Sequence, residues 1–234
     1  MGSAKGKEIK ISEEAINIYR AFKQKEGSEQ IAGPITIQVI LNICQNNPKR
    51  ILEMGGGIGT ISYTLLKNSD AFVDIYEVDD FCLNKLKENL SGLEGRYQII
   101  ENYRILPPQR EYDLIIVDGG IGKDWDKGFA SSIWFYIHYM ESVKLIYIEG
   151  KRPLQRIWAR KALKSKYIYK LNRYFDIDFG EDIKTGGGLE IICWPCKFWL
   201  IRWLSFLYWE LREWTSIKFF ILYRFNKIKK MIRL

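Results

Sequence analysis

From Lys49 onward, short apolar runs of strand length alternate with segments of helical period, and few architectures accommodate that rhythm. The strand-like runs are "RILEM", "FVDIYEV", "YQIIE", "YDLIIVD" and "VKLIYIE"; the helical stretches cover residues 60–67, 80–90, 129–140 and 153–164. Continuous apolar strands between helices predict an α/β fold, a mostly parallel sheet covered by helices on both faces. A final pair, "YFDIDFG" and "LEIICW", spaced by "EDIKTGGG", predicts a hairpin at the sheet edge, with the last strand antiparallel.

Two helices are expected ahead of this region. Residues 12–25 place Ala15, Ile16, Tyr19 and Phe22 at helical spacing, with Ser12 as N-cap. Gly33 and Pro34 interrupt the chain, and residues 35–46 form a second helix presenting Ile37, Ile40, Leu41 and Cys44 before Pro48. At 234 residues and 47% apolar composition, the chain has the length for one α/β domain with appendages. The expected organisation is an N-terminal helical segment (1–48), a sheet domain (49–196) and a helical tail (197–234).

The stretch "KRILEMGGGIGTISYTLLKN" holds the chemistry. A strand feeding a glycine-rich loop and then a helix lets bare backbone approach a ligand, with helix-start amides aimed at its polar atoms. Gly55, Gly57 and Gly59 keep a G-x-G-x-G spacing. The next strand ends in Glu77, about twenty residues on, where an acid can accept hydrogen bonds from ribose hydroxyls. Glu53 precedes the glycines. A carboxylate there repels a pyrophosphate but suits a ligand carrying an ammonium group and a positive sulfur, which points to S-adenosylmethionine.

On "LEMGGGIG", "IYEVDDFCLNKLKENL" and "EYDLIIVDGG", residues 49–194 resemble the class I, Rossmann-like methyltransferases that use S-adenosylmethionine. The resemblance implies that Glu53, Gly55, Gly57 and Gly59 cup the methionine part of the cofactor and that Glu77 holds its ribose. It also implies an adenine contact from Glu101, Asn102 or Tyr103, where the usual acid is replaced by Asn102 or Tyr103. Asp118 ends the fourth strand, at the edge where open α/β folds bind ligands. In the branch resembling catechol-type O-methyltransferases, an Asp here and an Asp-Asn pair after the next strand hold a divalent metal. This chain offers Asp118 and Glu149 followed by Gly150, one ligand short, so a metal is the lesser reading. Asp118 and Glu149 are the catalytic candidates, Asp118 counting also among the expected cofactor contacts, with Lys123 and Asp124 as further bases that read more simply as a charged loop.

His138, the only histidine, lies in "SSIWFYIHYM" and reads as a packed residue, while "EGKRP" (149–153) is either an anion-binding cluster or a helix entry. "CWPC" (193–196) reads as a strand end, since the pair that would complete a zinc site is missing. Four sparse cysteines without a secretory signal fit a reducing, cytoplasmic setting. Three alternatives stay open: an aminopropyltransferase resembling spermidine synthase, although Gly119 and Gly120 stand where its polyamine-binding acids would be, a non-catalytic cofactor-binding scaffold, and a nucleic-acid methyltransferase.

Net charge is +8, and residues 197–234 carry nine basic and two acidic residues, 9 − 2 = +7, leaving 8 − 7 = +1 for the rest. Five of the eight tryptophans fall between Trp194 and Trp214. As a helix, the tail puts Leu200, Trp203, Leu204, Leu207, Leu211, Trp214 and Ile221 on one side, with Arg202, Glu210, Arg212, Glu213, Arg224, Lys227 and Lys230 mostly opposite. Its apolar run is too short to cross a bilayer. A peripheral membrane anchor is the first reading; packing on the domain or on a second copy of the chain, and a nucleic-acid surface, are the others. The acceptor is then expected to be a small molecule, a glycan or a lipid-linked compound.

Overall fold

The computed structural model describes residues 9–119, 130–150, 152–174 and 187–212. Two helices, α1 (Glu13–Lys23) and α2 (Pro34–Cys44), flank a short 3-10 turn at Ser28–Gln30. Then follow β1 (Arg50–Met54), α3 (Thr60–Asn68), β2 (Phe72–Tyr76), α4 (Asp80–Asn89), β3 (Tyr97–Ile100), β4 (Glu111–Val117), α5 (Ala130–Tyr139), β5 (Ser142–Glu149), α6 (Pro153–Leu163), β6 (Tyr167–Tyr174), β7 (Gly188–Pro195) and α7 (Trp199–Arg212).

The seven strands form one sheet in the order β3-β2-β1-β4-β5-β7-β6. Strands β1 to β5 pair in parallel, and β7 runs antiparallel to both β5 and β6. Because strand side chains alternate between faces, each apolar run divides between two cores. Ile51, Val73, Ile75, Leu114 and Ile116 pack under α2, α3 and α4. Leu52, Met54, Tyr76, Ile115 and Val117 pack under α5 and α6 on the other face.

Ser12 caps α1 as expected, its Oγ accepting from the Ala15 amide at 3.2 Å. Pro34 opens α2 rather than preceding it, since a first-turn residue has no intrahelical partner for the N–H that proline lacks. Nearly every residue of α2 is buried, because it lies between α1 and the sheet-facing layer. The N-terminal helices therefore share a continuous core with the sheet.

One strand expectation needs correction. The partner of "LEIICW" is β6 at Tyr167–Tyr174, ahead of the expected "YFDIDFG", of which only Tyr174 lies within the described residues. Tyr167, Tyr169 and Leu171 turn inward while Lys170 is exposed, a period of two that pairs with β7 from Tyr167↔Pro195 to Tyr174↔Gly188. Helix α7 packs against β6 and α6: Phe206 and Trp209 lie on the sheet core, Ser205 Oγ accepts from the Tyr169 amide at 3.3 Å, and Glu210 meets the fully buried Arg160 at 2.6 Å.

Candidate active-site cleft

The order β2-β1-β4 reverses the direction in which strands are added between β1 and β4, so the loops after these two parallel strands diverge and leave a crevice at the carboxyl edge. A cleft of about 490 Å³ occupies it, floored by Gly55, Gly56 and Gly57 and walled by Glu77, Tyr103 and Asp118. Gln30, Ile31 and Ala32, from the turn between α1 and α2, close its other side.

The loop is shaped by one carbonyl. Tyr76 O, at the end of β2, accepts from the amides of Gly55 (2.9 Å) and Gly56 (3.0 Å) and from the Tyr103 hydroxyl (3.2 Å). Gly55 is required for the protein's own sake: at φ 93°, a Cβ there would sit 1.6 Å from the Asp118 carbonyl oxygen. Gly57 is different. At φ 52° its Cβ would meet nothing within 4 Å, so the bare backbone faces the cleft. Gly59 does not line the cleft; it precedes α3 and fits against Leu86.

Glu77 joins the second strand to this loop. Its Oε2 accepts from the Gly57 amide at 2.7 Å, and its Oε1 accepts from the amides of Val78 (2.7 Å) and Asp79 (2.9 Å). Each carboxylate oxygen carries two lone pairs, so Oε2 has one left to present to a hydroxyl. Glu53 lies beneath the loop, fully buried, with Oε2 accepting from the Ser62 hydroxyl at 2.6 Å and Oε1 without a partner. Burial, and further the charges of Asp118 and Glu77, push its carboxyl well above the usual carboxylate range. Thr60, which lines the cleft at the start of α3, likewise has a buried hydroxyl without a partner.

Of the three residues expected after β3, only Tyr103 reaches the cleft. It stacks on Tyr76 with ring centroids 5.4 Å apart, and its carbonyl accepts from the Tyr136 hydroxyl at 2.8 Å, which ties the loop to α5. Asn102 is exposed and accepts from the Arg104 amide through Oδ1, while Glu101 pairs with Lys87 at the surface.

Asp118 lines the cleft and Glu149 does not, but Arg152 joins them. Its Nη2 lies 2.9 Å from Asp118 Oδ1 and 3.2 Å from Glu149 Oε2, its Nη1 donates to Gly119 O at 2.8 Å, and its Nε donates to Glu149 O at 3.0 Å. The cation bridging the two carboxylates is thus a guanidinium, a clamp across the ends of β4 and β5. Among the described residues no three His, Cys, Asp or Glu side chains are grouped to hold a metal.

Sequence reasoning missed Cys82 and the turn residues Gln30 to Ala32 in the cleft wall. Burial, with Glu77 and Asp79 adding to it, pushes the Cys82 thiol up to about 12, which makes it a poor nucleophile. His138 is half-buried, its Nδ1 2.8 Å from Trp134 O and its ring against Trp134. Cys193 is buried within β7 and Cys196 follows it. Lys123, Asp124, Gly120 and Lys151 lie outside the described residues.

No protein-family model and no curated protein matches the sequence. Solved structures do match its fold. An S-adenosylmethionine-dependent O-methyltransferase from Thermotoga maritima superposes with a TM-score of 0.56 at 16% identity, over 79% of this chain and 72% of that one. A tRNA methyltransferase from Aquifex aeolicus gives 0.56 at 15% identity, over 77% and 76%. A methyltransferase from Podospora anserina, described as SAH-bound, gives 0.53 at 14% identity, over 79% and 89%. The chain has the fold of the class I, Rossmann-like methyltransferases, with a mostly parallel sheet and the antiparallel β7.

Proposed function

We propose that the chain is a methyltransferase that uses S-adenosylmethionine and methylates an oxygen of a small-molecule, glycan or lipid-linked acceptor. The observation that carries this reading is the convergence of acids on bare backbone: Glu77 on Gly57, Glu53 under the loop with one oxygen unpartnered, and Asp118 at the lip. A buried carboxylate oxygen and a buried hydroxyl without partners cost free energy in the protein alone, so both are suited to a polar, positively charged ligand.

When bound, S-adenosylmethionine supplies an electrophilic methyl group on a positive sulfur. Glu77 Oε2 would accept from a ribose hydroxyl, while the Gly57 backbone allows close approach. Thr60, which lines the cleft, would meet the amino-acid end, with Glu53 buried behind the glycine loop, and Tyr103 with Ile31 and Ala32 would form the apolar walls that exclude water. In-line displacement depends chiefly on positioning, and a hydroxyl acceptor also needs a group to take its proton. Asp118 serves as that base, and Glu149 acts through Arg152 as a positioning residue.

The test is methyl transfer from radiolabelled cofactor to fractionated lipids, glycans and small phenols, and in parallel to total RNA. Label entering the first set with a hundredfold or greater loss in Asp118→Asn is the expected result. A second reading, RNA methylation, draws on the basic charge of residues 197–234 and on the tRNA substrate named for one neighbour; label in RNA alone would select it. Transfer from decarboxylated cofactor to a diamine would instead mark an aminopropyltransferase, and cofactor binding without any turnover a scaffold.

A further inference from the structure

Helix α7 turns the wrong side to the protein for an ordinary surface helix. Its inward contacts are made by Ser205, Phe206, Trp209 and Glu210, whereas its outward stripe is Leu200, Leu204, Leu207 and Leu211, spaced i, i+4, i+7 and i+11. Leu200, Leu204 and Leu211 are 50%, 53% and 67% exposed, and Trp199, Trp203 and Tyr208 flank them, also exposed. A contiguous apolar patch of this kind left in water marks an interaction surface.

The charges around the stripe identify the occupant. Lys197 and Arg212 are basic, Arg202 donates to the carbonyls of Cys196 and Lys197, and the single acid of residues 197–212, Glu210, is held by Arg160. Residues 213–234 add six basic residues and one acid, 6 − 1 = +5. A second copy of this chain would bring a like-charged rim against this one. A nucleic-acid phosphate would find aliphatic side chains at the centre, with no donor to offer. An anionic bilayer matches both features: acyl chains for the leucines, the headgroup level for tryptophan and tyrosine, and lipid charge for lysine and arginine.

We propose that the outward face of α7 seats the protein on an anionic lipid surface, lying in the plane of the interface. Among the described residues no helix is long and apolar enough to cross a membrane, and fourteen residues of α7 span only about 21 Å. An apolar groove of about 330 Å³ between α7 and the ends of β6 and β7, lined by Ile168, Trp194, Ile201, Leu204 and Tyr208, extends the apolar surface and has the chemistry to take an acyl chain. Helix α7 runs antiparallel to α6, since Phe206 meets Lys164 and Glu210 meets Arg160. It therefore climbs toward the Arg152 end of the cleft.

The experiment is co-sedimentation of the full chain with phosphatidylcholine vesicles, with and without phosphatidylserine, for wild type and for Leu204→Glu/Leu211→Glu. Both positions are exposed, and an unchanged melting temperature verifies the fold; Leu200→Ser/Trp203→Ser is the second variant should the first unfold. Wild type pelleting with phosphatidylserine vesicles, and at least about tenfold weaker binding by the variant, is the expected result. Wild type left in the supernatant, variants binding as wild type does, or a dimer that the substitutions split into monomers would each overturn it, as would tRNA binding lost in the same variants without vesicle binding. The inference goes beyond methyl transfer, and its failure would leave cofactor titration unaffected.

Discussion

The cleft and the outward face of α7 are both unfinished surfaces, and they are unfinished in opposite senses. At the cleft, polar atoms are buried without partners: Glu53 Oε1 behind the bare glycine backbone, and the Thr60 hydroxyl at the start of α3. On α7, apolar side chains stand in solvent while the helix's acid is turned inward onto Arg160. Each surface lacks one kind of complement, a polar cationic ligand in the first case and an apolar phase rimmed by negative charge in the second. The difference teaches that an unsatisfied group specifies its missing partner by its own chemistry, and that the two proposals rest on independent residues.

The largest effect expected is at Gly55. Gly55→Ala sets a Cβ against the Asp118 carbonyl at a positive φ and should cost on the order of 3 kcal/mol, read as a fall in melting temperature. Gly57→Ala, with open space around the new methyl, should leave the fold within about 1 kcal/mol and reduce cofactor affinity instead. If the two variants behaved alike, the distinction between structural and ligand-facing glycine would fail. Asp118→Asn should lower turnover by roughly 10²–10⁴-fold while leaving cofactor affinity nearly unchanged. A parallel loss of affinity would reassign Asp118 to binding.

Glu210→Ala removes the carboxylate 2.6 Å from the buried Arg160 guanidinium and should destabilise the packing of α7 by on the order of 1–3 kcal/mol. Hydrogen exchange at β6 and α7 measures this directly, and unchanged protection would contradict it. The smallest effect concerns pH. Glu53 is raised in the folded state, so the stability linked to its proton is fully present below about pH 4.5 and is lost as pH rises through the raised value. Glu53→Gln should therefore melt like wild type in acid and above it at neutral pH without cofactor. A constant difference across that range would place the Glu53 proton elsewhere.

Much of the architecture was legible because apolar runs of strand length state their own burial: β1, β2, β4 and β5 overlap "RILEM", "FVDIYEV", "YDLIIVD" and "VKLIYIE". The edge strand was not, because Tyr167 to Tyr174 mixes aromatic with basic residues and only pairing with β7 resolves the period. Of the residues expected from spacing and resemblance, Gly55, Gly57, Glu77, Tyr103 and Asp118 line the cleft, and Glu53 is buried behind it. Arg152 as a clamp was not, because its meaning depends on β4 and β5 ending side by side. The contribution of Gln30 to Ala32 needs the long-range packing of α1 and α2 against α3. Periodicity revealed the leucine stripe of α7, yet a period cannot say which side faces the protein; the Arg160–Glu210 pair decides that.

The measurement closest to the central claim is calorimetric titration of S-adenosylmethionine into wild type and Glu77→Ala. The account predicts saturable one-site binding by wild type, weakened at least about a hundredfold in the variant, since Glu77 both holds the Gly57 amide and faces the ligand. No heat from a folded wild type, or equal affinity in the two proteins, would contradict it.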